Sequence, residues 1–95
     1  MRTIRETKSF SKDLKRVRKD SFHQNIDFLL AQVLTLLIND LPLPAKLRDH
    51  ALKGKFHNLR DCHLKPNLIL LYRKIGSQFL ELIRLGSHSE IFSES

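Results

Sequence analysis

The sequence predicts one α+β domain, residues 1–95, in which an N-terminal strand and a two-helix hairpin pack on a mainly antiparallel, twisted sheet. Two segments of the first half carry apolar residues at helical spacing, and three segments of the second half are rich in strand-forming residues. A chain of 95 residues is large enough for one hydrophobic core and too short for two. We therefore expect the helices to cover one face of the sheet and the opposite face to be open, concave and basic.

The chain is expected to begin with a short edge strand and an amphipathic helix. TIRETK alternates in polarity and contains β-branched residues, which is typical of an edge strand. Ser9 is placed to cap the helix that follows. The apolar residues of that helix are spaced to share one face: Phe10, Leu14 and Val17.

A second, more apolar helix is predicted from about Phe22 to near Asn39. Pro42 and Pro44 follow it, and neither can continue a helix. Its core-facing residues keep helical spacing over about four turns: Phe22, Ile26, Leu29, Leu30, Val33 and Leu37.

The basic segment LPLPAKLRDHALKGKF is expected to be irregular and to precede the first strand of a meander. Gly54 marks a turn or a close backbone approach within it. The strand is predicted from about Phe56 to Leu64.

Two further strands are predicted after that one. LILLYRK is a continuous apolar run, which is typical of a central strand buried on both faces. QFLELIRL follows it through a tight hairpin at Ile75-Gly76-Ser77. Gly86 then allows the chain to turn away, and we expect residues 93–95 to be a loose end.

The charge distribution favours a polyanionic partner. The formal net charge is +7. Residues 1–20 hold eight Lys and Arg against three acids, and residues 46–74 hold eight against two. The lysines of the first helix are more often a solvated face than a nucleic-acid groove, so charge alone indicates only the class of partner.

The sequence is typical of a cytoplasmic protein. Cys62 is the only cysteine, so no internal disulfide forms. The N-terminal segment MRTIRETKSF lacks the apolar core of a signal peptide. FLLAQVLTLLI, the longest apolar stretch, is shorter than the roughly 20 residues of a membrane helix, so we expect no membrane span.

Asp61 and His63 are the first candidates for chemistry. Alternate residues of a strand share a face, so these two side chains lie about 6 to 7 Å apart along the backbone. Cys62 points to the other face, which argues against a Cys62–His63 nucleophile pair and favours a small buried residue.

Three of the five histidines are expected at element ends, and together they suit metal-free cleavage of RNA. An imidazole takes and gives protons near neutral pH, so one ring accepts the proton of the attacking 2′-hydroxyl and another protonates the leaving 5′-oxygen. A cation steadies the charged transition state. The candidates are His50, His63 and His88 for proton transfer and Arg84, Lys53 and Lys55 for the cation.

Other interpretations of these residues are open at this point. The histidines are also compatible with surface polar groups, or with a zinc site of His50, His57, His63 and His88, although no pair has the tight spacing of zinc ligands. Phe92 suits either a core contact or base stacking.

Three ordered blocks resemble the YafQ branch of the RelE/ParE toxin superfamily. The blocks are LPAKLRDHALKGKF, LRDCHLKPNLILLY and LIRLGSHSEIF, and with the preceding helical hairpin the resemblance covers roughly Ser9 to Phe92. It implies a RelE-like fold and the toxin of a bacterial type II toxin–antitoxin system. The implied activity is a metal-independent endoribonuclease that cuts messenger RNA in the ribosomal A site, with no cofactor.

The resemblance also implies partners. A cognate antitoxin, which binds operator DNA as a dimer through its N-terminal part, would neutralise the toxin by wrapping it with a flexible C-terminal segment. The 70S ribosome and messenger RNA would be the targets, and the antitoxin complex would bind operator DNA.

The family motifs place the implied catalytic set on His50, Asp61, His63, Arg84 and His88, and RNA contacts on Lys53, Lys55, Arg60, Lys65, Asn67 and Phe92. Arg60 is equally suited to bracing the sheet. This sequence departs from the family motif at one position, because Asn67 stands where the family has an acid. Asn forms hydrogen bonds but cannot serve as a base, so the role of that acid is not carried over.

Two other functions are compatible with the same sequence. One is a non-cleaving relative, either a protein that binds nucleic acid by charge or a ParE-type gyrase poison, which has no need of this histidine set. The other is an inert relative that only assembles with an antitoxin on operator DNA, and its expression would not stop growth.

Overall fold

The computed structural model describes residues 1–93 as a five-stranded sheet with three helices. The sheet order is β1-β5-β4-β3-β2; β1 pairs in parallel with β5, and the other neighbours are antiparallel. This confirms the α+β class and the mainly antiparallel sheet. In chain order the elements are β1 (Thr3–Glu6), α1 (Lys8–Lys19), α2 (Ile26–Ile38), β2 (His50–Ala51), β3 (Arg60–Lys65), β4 (Leu68–Ile75), β5 (Phe79–Gly86) and α3 (His88–Phe92).

The main core lies between the helical hairpin and one face of the sheet. The predicted stripe of α1 is buried, and on α2 the buried positions are Ile26, Leu30, Val33 and Leu37. Cys62 of β3 is fully buried in the same core, and burial raises the pKa of its thiol to about 12, so it is an inert apolar residue. Within residues 1–93, no helix is both long and apolar enough to cross a bilayer.

Both predicted helix starts were wrong. Thr7, not Ser9, caps α1, because its extended backbone lets the side chain accept a hydrogen bond from the Phe10 amide at 3.0 Å. Phe22 does not belong to α2; it lies in a 3₁₀ turn, Ser21–His23, that Asp20 caps, and its side chain is 83% exposed. The end of α2 at Ile38, with Asn39 as its C-cap, agrees with the prediction.

The strands of the second half are present with different ends. β4 is the central strand and is buried on both faces, as predicted. Phe56 is not in a strand, because Gly54 adopts a positive φ of 67° and starts a 3₁₀ turn, Gly54–Phe56. The sequence prediction also missed β2, a two-residue strand that pairs with β3.

The second face of the sheet is only partly open, which corrects the prediction that the whole face is free. A smaller core covers its middle, formed by Ile69, Leu71 and Ile91. Partly buried residues from β5, α3 and the segment after β2 pack against it, namely Leu52, Leu59, Ile83 and Phe92. The expected loose end at residues 93–95 falls mainly outside the described residues.

Candidate active site

A cleft of about 450 Å³ opens on this second face, beside the smaller core. β2, β3, α3 and the turn after β2 contribute its walls. The residues that line it are His50, Leu52, Lys53, Phe56, Asp61, His63, His88 and Phe92.

Strand pairing brings the first three polar residues together. Asp61 and His63 lie on one face of β3, opposite the buried Cys62, as their spacing predicts. β2 pairs His50 with Asp61 in antiparallel register, which places these two residues side by side. The short strand β2 therefore joins a histidine of the basic segment to the cleft.

The ring orientation of His50 is fixed by a backbone carbonyl. Nδ1 of His50 lies 2.7 Å from the carbonyl oxygen of Arg48 and 3.1 Å from Oδ1 of Asp61. A carbonyl oxygen only accepts, so Nδ1 carries the proton in that bond. A neutral His50 then has its lone pair on Nε2, where it can accept a proton.

Asp61 is a buried carboxylate with one oxygen lacking a hydrogen-bond donor. Its side chain is 5% exposed, and Oδ1 has no hydrogen-bond partner among the described residues, since the His50 proton points to Arg48. Burial raises the pKa of Asp61, while the positive potential of His50, His63 and His88 acts in the opposite direction. Such a carboxylate stabilises positive charge that develops beside it.

Asp61→Asn is expected to stabilise the fold while impairing the site. The variant keeps the size of the side chain and avoids burying a charge that lacks a hydrogen-bond donor at Oδ1 within residues 1–93. We expect the free energy of unfolding to rise by about 1 kcal/mol in urea titration and cleavage to fall by about a hundredfold. Asp27→Asn, at an exposed position, is the matched control. If the free energy of unfolding of Asp61→Asn were lower than that of wild type, the claim that the buried charge of Asp61 destabilises the fold would be wrong.

The N-terminal cap of α3 sets the position of His88. Ser87 and Glu90 form a capping box: the Ser87 amide donates to Oε1 of Glu90 at 2.8 Å, and Oγ of Ser87 accepts from the Glu90 amide at 3.2 Å. His88, the first residue of α3, packs its ring 4.9 Å from Phe92, whose ring meets Phe56 edge-on at 5.3 Å. One wall of the cleft is therefore a packed row of three rings.

Arg60 lies outside the cleft and braces the sheet. Its guanidinium donates to both oxygens of Asp49, at 3.3 and 3.2 Å, and the Tyr72 hydroxyl also bonds Asp49. Of the two roles considered for Arg60, this geometry favours the structural one. The brace fixes the backbone immediately before His50.

Three other predicted residues also lie outside the cleft. Arg84 binds the buried carboxylate of Asp13 through Nε at 2.6 Å and Nη2 at 3.2 Å, so its guanidinium is engaged on α1. Lys65 donates to the Phe22 carbonyl at 2.6 Å. Asn67, in the turn between β3 and β4, lines a separate polar depression. These placements correct the expectation that all three share one site with the histidines.

Lys53 is the cation that lines the cleft, whereas Lys55 lies next to it with Nζ 5.4 Å from the Phe56 ring centroid. The sequence prediction missed Leu52 and Phe56 as wall residues. Within residues 1–93, no three His, Cys, Asp or Glu side chains are close enough to hold a metal ion, so the four-histidine zinc site is not assembled.

This chain is similar in sequence and fold to known proteins. The mRNA interferase toxin YafQ of Escherichia coli strain K12 is 39% identical over 92 residues, 96% of each chain. A copper-bound mutant toxin from Helicobacter pylori has a TM-score of 0.88 and 40% identity over 97% of this chain and 100% of its own. YafQ in the E. coli DinJ–YafQ complex has a TM-score of 0.82 and 38% identity over 98% and 100%.

The family match spans almost the whole described chain. The family model for YafQ, bacterial toxin of type II toxin–antitoxin systems, matches residues 2–93. The match includes β1 to α3 and every residue that lines the cleft. This chain belongs to the YafQ family of bacterial type II toxins.

Proposed function

We propose that this chain is the toxin of a type II pair and that its cleft cuts messenger RNA in the ribosomal A site without a metal ion. The observation that carries the proposal is one cleft that gathers three imidazoles around a buried carboxylate. The relatives named mRNA interferase toxins, of nearly equal length, support the same activity.

The proposed reaction is an internal transfer at phosphorus. One imidazole removes the 2′-hydroxyl proton as the 2′-oxygen bonds to phosphorus. A second imidazole protonates the 5′-oxygen as the P–O5′ bond breaks. His50, His63 and His88 are the proton-transfer candidates, and Asp61 stabilises whichever ring is protonated.

The remaining cleft residues are assigned to RNA binding. Lys53 is placed to balance the charge that develops on the phosphate oxygens. Phe92, held between His88 and Phe56, offers a ring against which a base stacks. Two residues outside the cleft, Lys55 and Asn67, are assigned to contacts with flanking nucleotides, in which the Asn67 amide forms hydrogen bonds only.

The partners proposed for this chain follow from its relatives. E. coli YafQ forms a complex with DinJ, and we propose that a cognate antitoxin binds this chain in the same manner. That antitoxin is a DNA-binding dimer with a flexible C-terminal segment, so the complex reaches operator DNA through it. The toxin released from it acts on ribosomes in the cytoplasm.

The chemistry of the cut ends tests this proposal. Internal transfer leaves a 2′,3′-cyclic phosphate on one fragment and a 5′-hydroxyl on the other. We therefore expect a single 2′-deoxy substitution at the cut nucleotide to abolish cleavage, as measured by gel and mass analysis of the fragments. Cleavage of the deoxy message, or a 5′-phosphate product, would show direct attack by water and contradict the proposed roles.

A further inference from the structure

A second concave surface has one lining residue in common with the cleft. It is a groove of about 340 Å³ that shares His63 with the cleft. We call it the basic groove; its lining includes Lys46, Leu47, Arg48, His63, Leu64 and Lys65. The 3₁₀ turn Ala45–Leu47 forms one side of this groove, and the end of β3 forms the other.

The basic groove carries cations without local acids. No Asp or Glu lines it. Across residues 1–93, neither Lys46 nor Arg48 forms an ion pair, and Lys65 donates to a carbonyl rather than to a carboxylate. By contrast, the polar depression beside Asn67 mixes Arg16 with acids. Three cations held together without a counter-charge favour a polyanionic ligand.

Arg48 joins the basic groove to the cleft. Its backbone has a φ of 51°, a left-handed conformation that is uncommon for a residue with a side chain. Its carbonyl holds the His50 ring in the cleft, and Arg48 itself is one of the residues that line the groove. The side chain of Asp49, the residue after Arg48, is held by hydrogen bonds from Arg60 and Tyr72. Backbone strain maintained by its surroundings is characteristic of functional positions.

An exposed aromatic residue is tied to the strand end that lines the groove. Phe22 is 83% exposed, and Nζ of Lys65 binds its carbonyl at 2.6 Å, which ties the Phe22 turn to the end of β3. Cations interleaved with an exposed ring are the usual surface for single-stranded nucleic acid, since the cations contact phosphates and the ring stacks on a base.

We infer that the basic groove binds the single-stranded message next to the scissile phosphate. This inference rests on the proposed function: since His63 lines both the cleft and the groove, the groove is the nearest surface for the part of the message next to the cut. The groove then holds the flanking phosphates, and Phe22 stacks on an unpaired base beside them. The chemistry stays in the cleft.

The test removes two groove charges and compares RNAs of two lengths. The variant is Lys46→Gln with Arg48→Asn, since Asn tolerates the left-handed backbone. The control is Lys12→Gln with Lys15→Gln, which removes equal charge from exposed positions of α1, a helix that packs on β5 and contributes no residue to the groove. For both variants and for the wild type, the affinity for two uncleavable 2′-O-methyl RNAs, a trinucleotide and a dodecamer, is measured over a range of salt concentrations.

We expect the groove variant to bind the dodecamer about tenfold more weakly at low salt and the trinucleotide as wild type does. The slope of log affinity against log salt should fall by about 1.4, because each phosphate contact on a single strand contributes about 0.7. The control should keep the wild-type affinity and slope. An equal loss in the control, an equal loss for both lengths, or no loss would overturn the inference.

Parallel binding measurements test whether the groove binds a partner other than the message. If the groove variant loses affinity for vacant 70S ribosomes or for the antitoxin while it binds the dodecamer normally, the groove serves that partner and the inference fails. Cleavage by the wild-type protein on programmed ribosomes is measured alongside. Its absence would overturn the proposed function, whereas equal dodecamer binding by wild type and groove variant would overturn the groove alone.

Discussion

His63→Ala and His88→Ala are each expected to lower the rate of mRNA cleavage by about 10²–10⁴-fold, because each removes a ring placed for proton transfer. His63 lies on β3 beside the buried Asp61, and His88 begins α3 against Phe92. Neither imidazole belongs to the main core, so folding and antitoxin binding should change little. Cleavage on programmed ribosomes and thermal unfolding measure the two effects separately.

His57→Ala is the matched control. His57 is exposed and lies outside the cleft, and its Nδ1 lies 3.1 Å from the carbonyl oxygen of Gly54. We expect its cleavage rate to stay within about twofold of wild type, since no proton transfer is lost. If the His63 and His88 variants cleave as fast as the His57 variant, the catalytic assignment is wrong.

Asp13→Ala is expected to lower the free energy of unfolding by about 3 kcal/mol, the largest single effect on stability. Asp13 is 3% exposed, and its carboxylate accepts hydrogen bonds from Arg16 at 2.8 Å, Arg84 at 2.6 Å and the Leu85 amide at 2.9 Å. Removing the carboxylate leaves a partly buried guanidinium and a buried amide without their acceptor. Urea unfolding at neutral pH measures the loss.

The loss should depend on pH in a defined direction. Burial by itself raises the pKa of Asp13, but the Arg84, Leu85 and Arg16 contacts outweigh it and hold the pKa below its usual 3.8. Stability from a depressed pKa is fully present above the unfolded value and disappears as pH falls through the folded one. The difference between wild type and Asp13→Ala should therefore be constant at neutral pH and shrink below about pH 4.

Asp27→Ala provides the comparison for an exposed ion pair. Asp27 pairs with Arg18, and both side chains are at least half exposed. Loss of this ion pair should lower the free energy of unfolding by less than about 1 kcal/mol. Similar losses in Asp13→Ala and Asp27→Ala would contradict the claim that the Asp13 network holds α1 against β5.

Periodicity was sufficient to predict the layers of the fold. The stripe of α1 and the apolar run of β4 are buried where their patterns placed them. The starts of the helices were missed because several neighbouring residues can act as caps. Thr7 and Ser9 are both capable caps of α1, and Asp20 caps a separate 3₁₀ turn before α2, so the choice depends on how the chain enters and leaves α1. The capping box of α3 is present in Ser87-His88-Ser89-Glu90, whereas the sequence prediction placed only a turn at Gly86 and no helix after it.

Local sequence patterns were enough to predict only part of the candidate site. Alternation on β3 was enough to place Asp61 and His63 on one face and Cys62 on the other. The position of His50 depends on β2, two residues that form a strand only by pairing with β3. The placement of Arg84 depends on Asp13, which lies 71 residues away in sequence, and no local pattern reveals such a partner.

The central claim is that the histidine cleft cuts messenger RNA on the ribosome without a metal ion. The most direct measurement is cleavage of a defined message on purified, stalled 70S ribosomes with and without EDTA, beside the same RNA free in solution. We expect cuts in the A-site codon that persist in EDTA and disappear in the His63→Ala variant. Intact message from a folded, ribosome-bound toxin, or cleavage that EDTA abolishes, would contradict the claim.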